Sequence, residues 1–141
     1  MRLVGLDLGE RRIGLAVSDA SATLARPLRT IQRDRSDEAA ARLVLAAIDA
    51  LHAEDEVGCV VVGLPAHLDG TASEQTRRVR TMVDLLAARL SMPIALQDER
   101  LSSHEAEERL ALRERDWRKR KAKLDAASAA VILQDYLDRQ K

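Results

Sequence analysis

The sequence predicts an α/β fold: a mixed five-stranded sheet in the element order β-β-β-α-β-α-β-α-α, with helices on both faces. Three observations predict it. Residues 57–65, "VGCVVVGLP", are a near-continuous apolar run, the mark of a parallel strand buried on both faces. Residues 2–8 and 12–18 are apolar runs joined at "GER", tight enough for an antiparallel hairpin. Later segments carry apolar stripes at helical spacing.

In order, residues 2–8, 12–18 and about 23–31 read as three short strands. The segment 36–53, "SDEAAARLVLAAIDALHA", reads as an amphipathic helix. Ser36 is its N-cap, Asp37 and Glu38 lie in its first turn, and Leu43, Val44, Ile48 and Leu51 form its stripe. The strand at 57–65 follows. Thr71 and Glu74 fit a capping box for a second helix, which buries Val79, Met82, Val83, Leu86 and Leu90. "MPIALQ" (92–97) is a fifth strand. Ser102 and Glu105 fit another capping box, opening a helix to about Leu112, and residues 124–138 form the last helix.

A chain of 141 residues predicts a single domain, 1–141, with a genuine core. Aromatics make up only 1%, so Leu, Val, Ile and Ala must build that core. The 23 basic and 23 acidic residues balance, which excludes global attraction to nucleic acid and confines any such binding to a local patch. Residues 113–123, "RERDWRKRKAK", supply one, with seven basic residues against two acidic. The single cysteine, Cys59, reads as a small buried hydrophobe. There is no leader-like N-terminus, and no run approaches ~18 apolar residues, which predicts a soluble cytoplasmic chain with no membrane partner.

Asp7 is the oddity, a carboxylate among Leu3, Val4, Leu6 and Leu8. Strand residues two apart share a face, so Gly5 and Gly9 clear space on either side of it. Other acids fall near the carboxyl ends of strands, where open α/β sheets bind ligands: Asp98 and Glu99 after the fifth strand, and Asp125 at the start of the last helix. Clustered carboxylates repel and require a cation. Hard oxygen ligands select Mg²⁺ or Mn²⁺, and two such ions about 4 Å apart promote phosphodiester hydrolysis. Each acid also has a plainer reading. Asp7 could accept backbone N–H bonds at the hairpin. Asp98 and Glu99, neighbours on extended backbone, diverge, so at most one enters a common site and either could pair with Arg100. Asp125 could be a first-turn acid favoured by the helix dipole.

"GLDLGERRIGLAVSD" (5–19), "VVGLPAHLDG" (61–70), "DERLSS" (98–103) and "KLDAASAAVILQDYLD" (123–138) together resemble the YqgF/RuvX family. Its members are Holliday-junction-resolvase-like proteins, also assigned as pre-16S rRNA nucleases. Four blocks in order span essentially the whole chain. The resemblance implies an RNase H-like fold and a metal-dependent nuclease site. By position it makes Asp7 the first-strand acid, Glu99 the acid of the D-E-R motif and Asp125 the acid of the last helix, catalytic residues and metal ligands together. Arg12 falls on the family's arginine and becomes a phosphate contact; Arg100 and Ser102 belong to the matched D-E-R-x-S block. Ser103 stands where the family usually has Thr, and "DGTASEQ" lacks a glycine often found after the DG pair. Neither departure removes a proposed ligand.

The segment holding Trp117, Arg118 and Lys119 fits a nucleic-acid groove in which the ring stacks and cations track phosphates; the alternative is a charged loop anchored by its tryptophan. Arg77, Arg78 and Arg80 read as a solvated face or a phosphate-tracking surface. His52, His67 and His104 have no ligand spacing, Asp69 and Gly70 make a turn, and Asp19 reads as a turn former. The leading expectation is a Mg²⁺- or Mn²⁺-dependent nuclease acting on rRNA precursor ends or branched DNA. A non-catalytic nucleic-acid-binding module of the same fold is the alternative. A sugar-kinase-like ATPase would need two such domains to enclose ATP, and this chain supplies one. A homodimer through the basic segment or the outer helices is compatible with the sequence, which does not fix it.

Overall fold

A computed structural model of the chain describes residues 1–33, 36–65, 73–98 and 117–140, the last stretch with side chains from residue 125 onward. Five strands form one sheet: β1 (Arg2–Leu8), β2 (Arg12–Ser18), β3 (Ala25–Gln32), β4 (Val57–Leu64) and β5 (Ile94–Asp98). Their spatial order is β3-β2-β1-β4-β5. The pairs β1–β2 and β2–β3 are antiparallel, while β1–β4 and β4–β5 are parallel. Three helices are described: α1 (Asp37–Glu54), α2 (Glu74–Ala87) and α3 (Trp117–Arg139). The helix expected over 102–112 lies outside the described residues.

The alternation within each strand divides the core between the two faces. One face packs Val4, Leu6, Ile13, Leu15, Val60 and Val62 against Val44 and Ile48 of α1 and against Val79, Met82 and Leu86 of α2. The other packs Ala16 and Val61 against Ala129, Ile132, Leu133 and Leu137 of α3. Each large aliphatic side chain so buried contributes roughly 1.5–3 kcal/mol. The second layer is made close by small residues. A Cβ added at Gly5 would lie 2.8 Å from both the Ala129 carbonyl oxygen and the Leu133 Cβ, and one at Gly14 would overlap the carbonyl of Asp125. Glycines on β1 and β2 therefore let α3 rest against the sheet.

Four element starts differ from the sequence reading, most of them for a local reason. β3 starts at Ala25 rather than 23, because the Asp19 carboxylate accepts the backbone amides of Thr23 (2.7 Å) and Leu24 (3.1 Å) and folds them into a loop. The cap of α2 is Ser73, not Thr71: the Ser73 hydroxyl accepts from the Thr76 amide at 3.0 Å, and the Thr76 hydroxyl accepts from the Ser73 amide at 2.9 Å. β5 starts after Pro93, which has no N–H to give a ladder. The last helix begins at Trp117, seven residues before the expected start, so the basic stretch from 117 to 123 is helical rather than a loop. At Ser36 the cap is where the sequence places it, accepting from the Ala39 amide.

Candidate active site

Asp7 stands near the end of β1, directly opposite Gly14 on β2. α3 also passes close over Gly14, with the Asp125 backbone against it. The missing side chain at 14 thus brings the first-strand acid and the last-helix acid together. The residue Asp7 is partly buried. Its carboxyl is pushed up to about 7 from an ordinary 3.8, first by burial and then by the charge of Asp125. Both effects penalise a second negative charge in a region of low polarizability.

Arg12 opens β2 and forms an ion pair with Asp125, with Nε 3.0 Å from Oδ2 and both side chains about a quarter exposed (23% and 25%). The family resemblance makes Arg12 a phosphate contact; what the structure shows is that it holds the Asp125 carboxylate. Asp125 is the ninth residue of α3 rather than a first-turn acid, too far from the N-terminus for the helix dipole to favour it.

The hairpin that follows Asp7 is fixed by its backbone: the Gly9 amide donates to the Arg12 carbonyl at 3.0 Å, and a Cβ at Gly9 would lie 2.5 Å from that oxygen. Gly9 is required by this close approach and not only by space beside Asp7.

Asp98 ends β5 opposite Leu64, a residue packed with the α1/α2 face. It is exposed and lies on the opposite side of the sheet from Asp7. Glu99, Arg100 and Ser102 lie outside the described residues. Trp117, Arg118 and Lys119 form the first turn of α3. Among the described residues no group of three or more His, Cys, Asp or Glu side chains gathers as a metal site. The donor set that is present, two carboxyls pressed together with one of them resisting ionisation, is nevertheless one that a hard cation would relieve.

Several tempting residues have structural work instead. Asp19 also accepts from the Ser21 hydroxyl at 2.9 Å, and its three hydrogen bonds, led by those from Thr23 and Leu24, hold its carboxyl below the ordinary value. His52 accepts the Val57 amide through Nδ1 at 3.0 Å where α1 hands over to β4. Burial raises the Cys59 thiol, which packs with Tyr136 under α3. Arg77, Arg78 and Arg80 are exposed on α2, and Arg78 pairs with Glu10 and Glu74. A cavity of about 390 Å³ lies on the α1/α2 side of the hairpin, lined in part by Leu8, Gly9, Arg33 and Met82. Its Arg33 is engaged with Asp37 at 2.6 Å.

Sequence reasoning passed over Gln97. This buried residue lies on the Asp7 face of β5, one position before the acid pair Asp98–Glu99. The available signal was a neutral amide alternating with Ala95 on a face otherwise made of small and apolar residues.

Among the described residues no helix is long and apolar enough to cross a membrane. Residues 1–139 match the family described as "RuvX: Holliday junction resolvase". A curated relative from Anaeromyxobacter dehalogenans (strain 2CP-1 / ATCC BAA-258) is 45% identical over 140 residues, covering 99% of this chain and 98% of its own. Another, from Thermoanaerobacter pseudethanolicus (strain ATCC 33223 / 39E), is 41% identical over 143 residues, covering 100% and 99%. Both bear the name "Putative pre-16S rRNA nuclease". Among solved structures, T. thermophilus RuvC in complex with a Holliday junction substrate superposes with a TM-score of 0.61 at 17% identity, over 99% of this chain and 96% of that one. The yeast mitochondrial Holliday junction resolvase gives 0.55 at 15% identity, over 98% and 78%. Those two likenesses establish the fold, an RNase H-like sheet with helices on both faces. The match over residues 1–139 and the two full-length relatives establish the rest: this chain belongs to the RuvX family.

Proposed function

We propose that this chain is a divalent-cation-dependent nuclease that hydrolyses phosphodiester bonds of structured nucleic acid, either at 16S rRNA precursor ends or in branched DNA. It acts as one domain in the cytoplasm. The observation that carries this reading is the acid pair: a buried Asp7 carboxyl beside Asp125, brought together across 118 residues of sequence by a glycine at the contact. Family membership supports the same chemistry.

Asp7 and Asp125 would hold Mg²⁺ or Mn²⁺, with Glu99 as the third ligand. The position of Asp98 on the far side of the sheet favours Glu99 over it. When bound, the metal supplies positive charge that activates the attacking water and stabilises the leaving oxygen. The chain's own residues do the remaining work. Asp7 is held partly buried beside Asp125, and its raised pKa means that a cation bound there would favour its ionised form. Arg12 fixes the Asp125 carboxylate, and its other guanidinium donors remain suited to a phosphate oxygen. Arg100, Ser102 and the first turn of α3, with Trp117, Arg118 and Lys119, position the strand through phosphate contacts and stacking.

The test compares wild type with Asp7→Asn on an RNA spanning a 16S rRNA precursor end, on single-stranded DNA and on a four-way DNA junction, with Mg²⁺ or Mn²⁺. Cleavage should fall at least ~100-fold while affinity stays within about threefold. Full cleavage by Asp7→Asn would refute the site. Binding without cleavage by the wild type, on every substrate and with either metal, would make the chain a binding module.

A further inference from the structure

Gln97 is only 4% exposed, yet its Nε2 has no hydrogen-bond partner among the described residues. Folded proteins satisfy nearly all buried donors, because an orphan forfeits the bonds it had with water. An apolar side chain would avoid that loss, and Ala95, two residues earlier on the same face, packs with the α3 layer. A group kept at the expense of stability points to use by something outside the folded chain.

The register says where the amide lies. Gly5, Val61 and Ala95 stand side by side on β1, β4 and β5. Two residues further along these three parallel strands stand Asp7, Gly63 and Gln97, with Gly63 and Gln97 direct partners. A two-residue step keeps the face. Asp7 and Gln97 therefore occupy the same face at the same level, two strand spacings or about 10 Å apart at the backbone. The strand between them contributes Gly63, which has no side chain. An acid and an orphan amide donor flank a glycine on the side of the sheet that carries Asp125.

We propose that Gln97 is a substrate-binding residue whose Nε2 donates a hydrogen bond to a phosphate oxygen of the nucleic-acid strand held at Asp7. The inference deepens the nuclease reading and rests on it. An amide nitrogen does not ligate hard cations and does not exchange protons near neutral pH, so donation to an acceptor oxygen is the chemistry left to it. Phosphate oxygens are the acceptors that a nuclease substrate must bring to that place.

The experiment uses Gln97→Met, which keeps length and removes the donor, and Gln97→Leu as a second apolar replacement. Asp7→Asn is run in parallel. Thermal unfolding is measured without substrate, and kcat and KM are measured on the labelled rRNA-precursor RNA and on the four-way junction. Affinity for the same probes is read in the Asp7→Asn background, where cleavage is blocked. The expected result is a Tm equal to or above wild type, with KM and Kd raised about 10-fold and kcat changed little. Unchanged KM and Kd in both variants would overturn the proposal, as would a lowered Tm with unchanged affinity, which would make Gln97 a packing residue. If Asp7→Asn cleaves like wild type, the nuclease site itself fails. If Asp7→Asn is inactive and the Gln97 variants bind normally, only the assignment of Gln97 fails.

Discussion

Asp7 carries a measurable consequence before any substrate is added. Its folded pKa of about 7 lies above the ordinary 3.8, so between these values the folded chain holds a proton that the unfolded chain has lost. Stability from this group is therefore present at low pH and is lost as pH rises through 7. Metal-free protein should melt roughly 5–10 °C lower at pH 8 than at pH 5.5 in a thermal scan. Asp7→Asn should flatten that difference and raise the Tm at pH 8. Mn²⁺ or Mg²⁺ should raise the Tm of the wild type at pH 8 and leave the variant unmoved. The anomaly of a charge in an apolar strand was legible in the sequence, and so was its company of glycines. The Arg12–Asp125 ion pair was not, because nothing in the spacing from 12 to 125 says which acid the arginine meets. Gln97 escaped for a different reason: a neutral amide in a strand looks ordinary until its burial and its missing partner are both known.

The layer formed by α3 depends on what the strands beneath it lack. Gly14→Ala places a methyl against the Asp125 carbonyl, where backbone rather than a flexible side chain must give way. It should destabilise the chain by about 1–3 kcal/mol, read by urea unfolding, and should also lower cleavage by moving Asp125 off its position over Asp7. Leu133→Ala, deeper in the same layer and fully buried, should cost about 2–5 kcal/mol while sparing Asp125. A drop in cleavage confined to Gly14→Ala, once both are folded, separates the two effects. Element types followed well from periodicity, as α1 and β4 show, but the stripe read for α1 was too wide: Val44, Ile48 and Leu51 are buried, whereas Leu43, about 100° round the helix from Val44, is 42% exposed. Boundaries followed less well where side chains compete with the backbone. The Asp19 loop delays β3, and two hydroxyls, Ser73 and Thr76, outcompete the Thr71–Glu74 pair that the sequence offered as a cap. The early start of α3 reflects Lys and Arg, good helix formers whose charge makes them read as a loop.

Across the whole molecule, charges balance, so affinity for nucleic acid must come from particular places and should respond to salt accordingly. Replacing Arg118 and Lys119 together by Gln should weaken RNA and DNA binding alike and reduce the slope of log affinity against log salt by about 1–2. Trp117→Ala should weaken single-stranded ligands more than duplex, because stacking needs an unpaired base face. The topology was legible up to a point. A hairpin followed by parallel units limits the strand order to few choices, and the observed β3-β2-β1-β4-β5 is one of them. The position of α3, packed on the opposite face from α1 and α2, was not dictated by any local pattern.

That position has a consequence in time. During synthesis the first strand emerges early, and its hairpin with β2 closes from contacts only a few residues apart. β4 joins about fifty residues later, and Asp125 is not made until most of the chain exists. Until α3 lies down on Gly5 and Gly14, the first acid has no second acid beside it and faces an uncovered sheet. The pairing of Asp7 with Asp125 is thus among the last features the polypeptide acquires, because its second member is placed only when α3 docks.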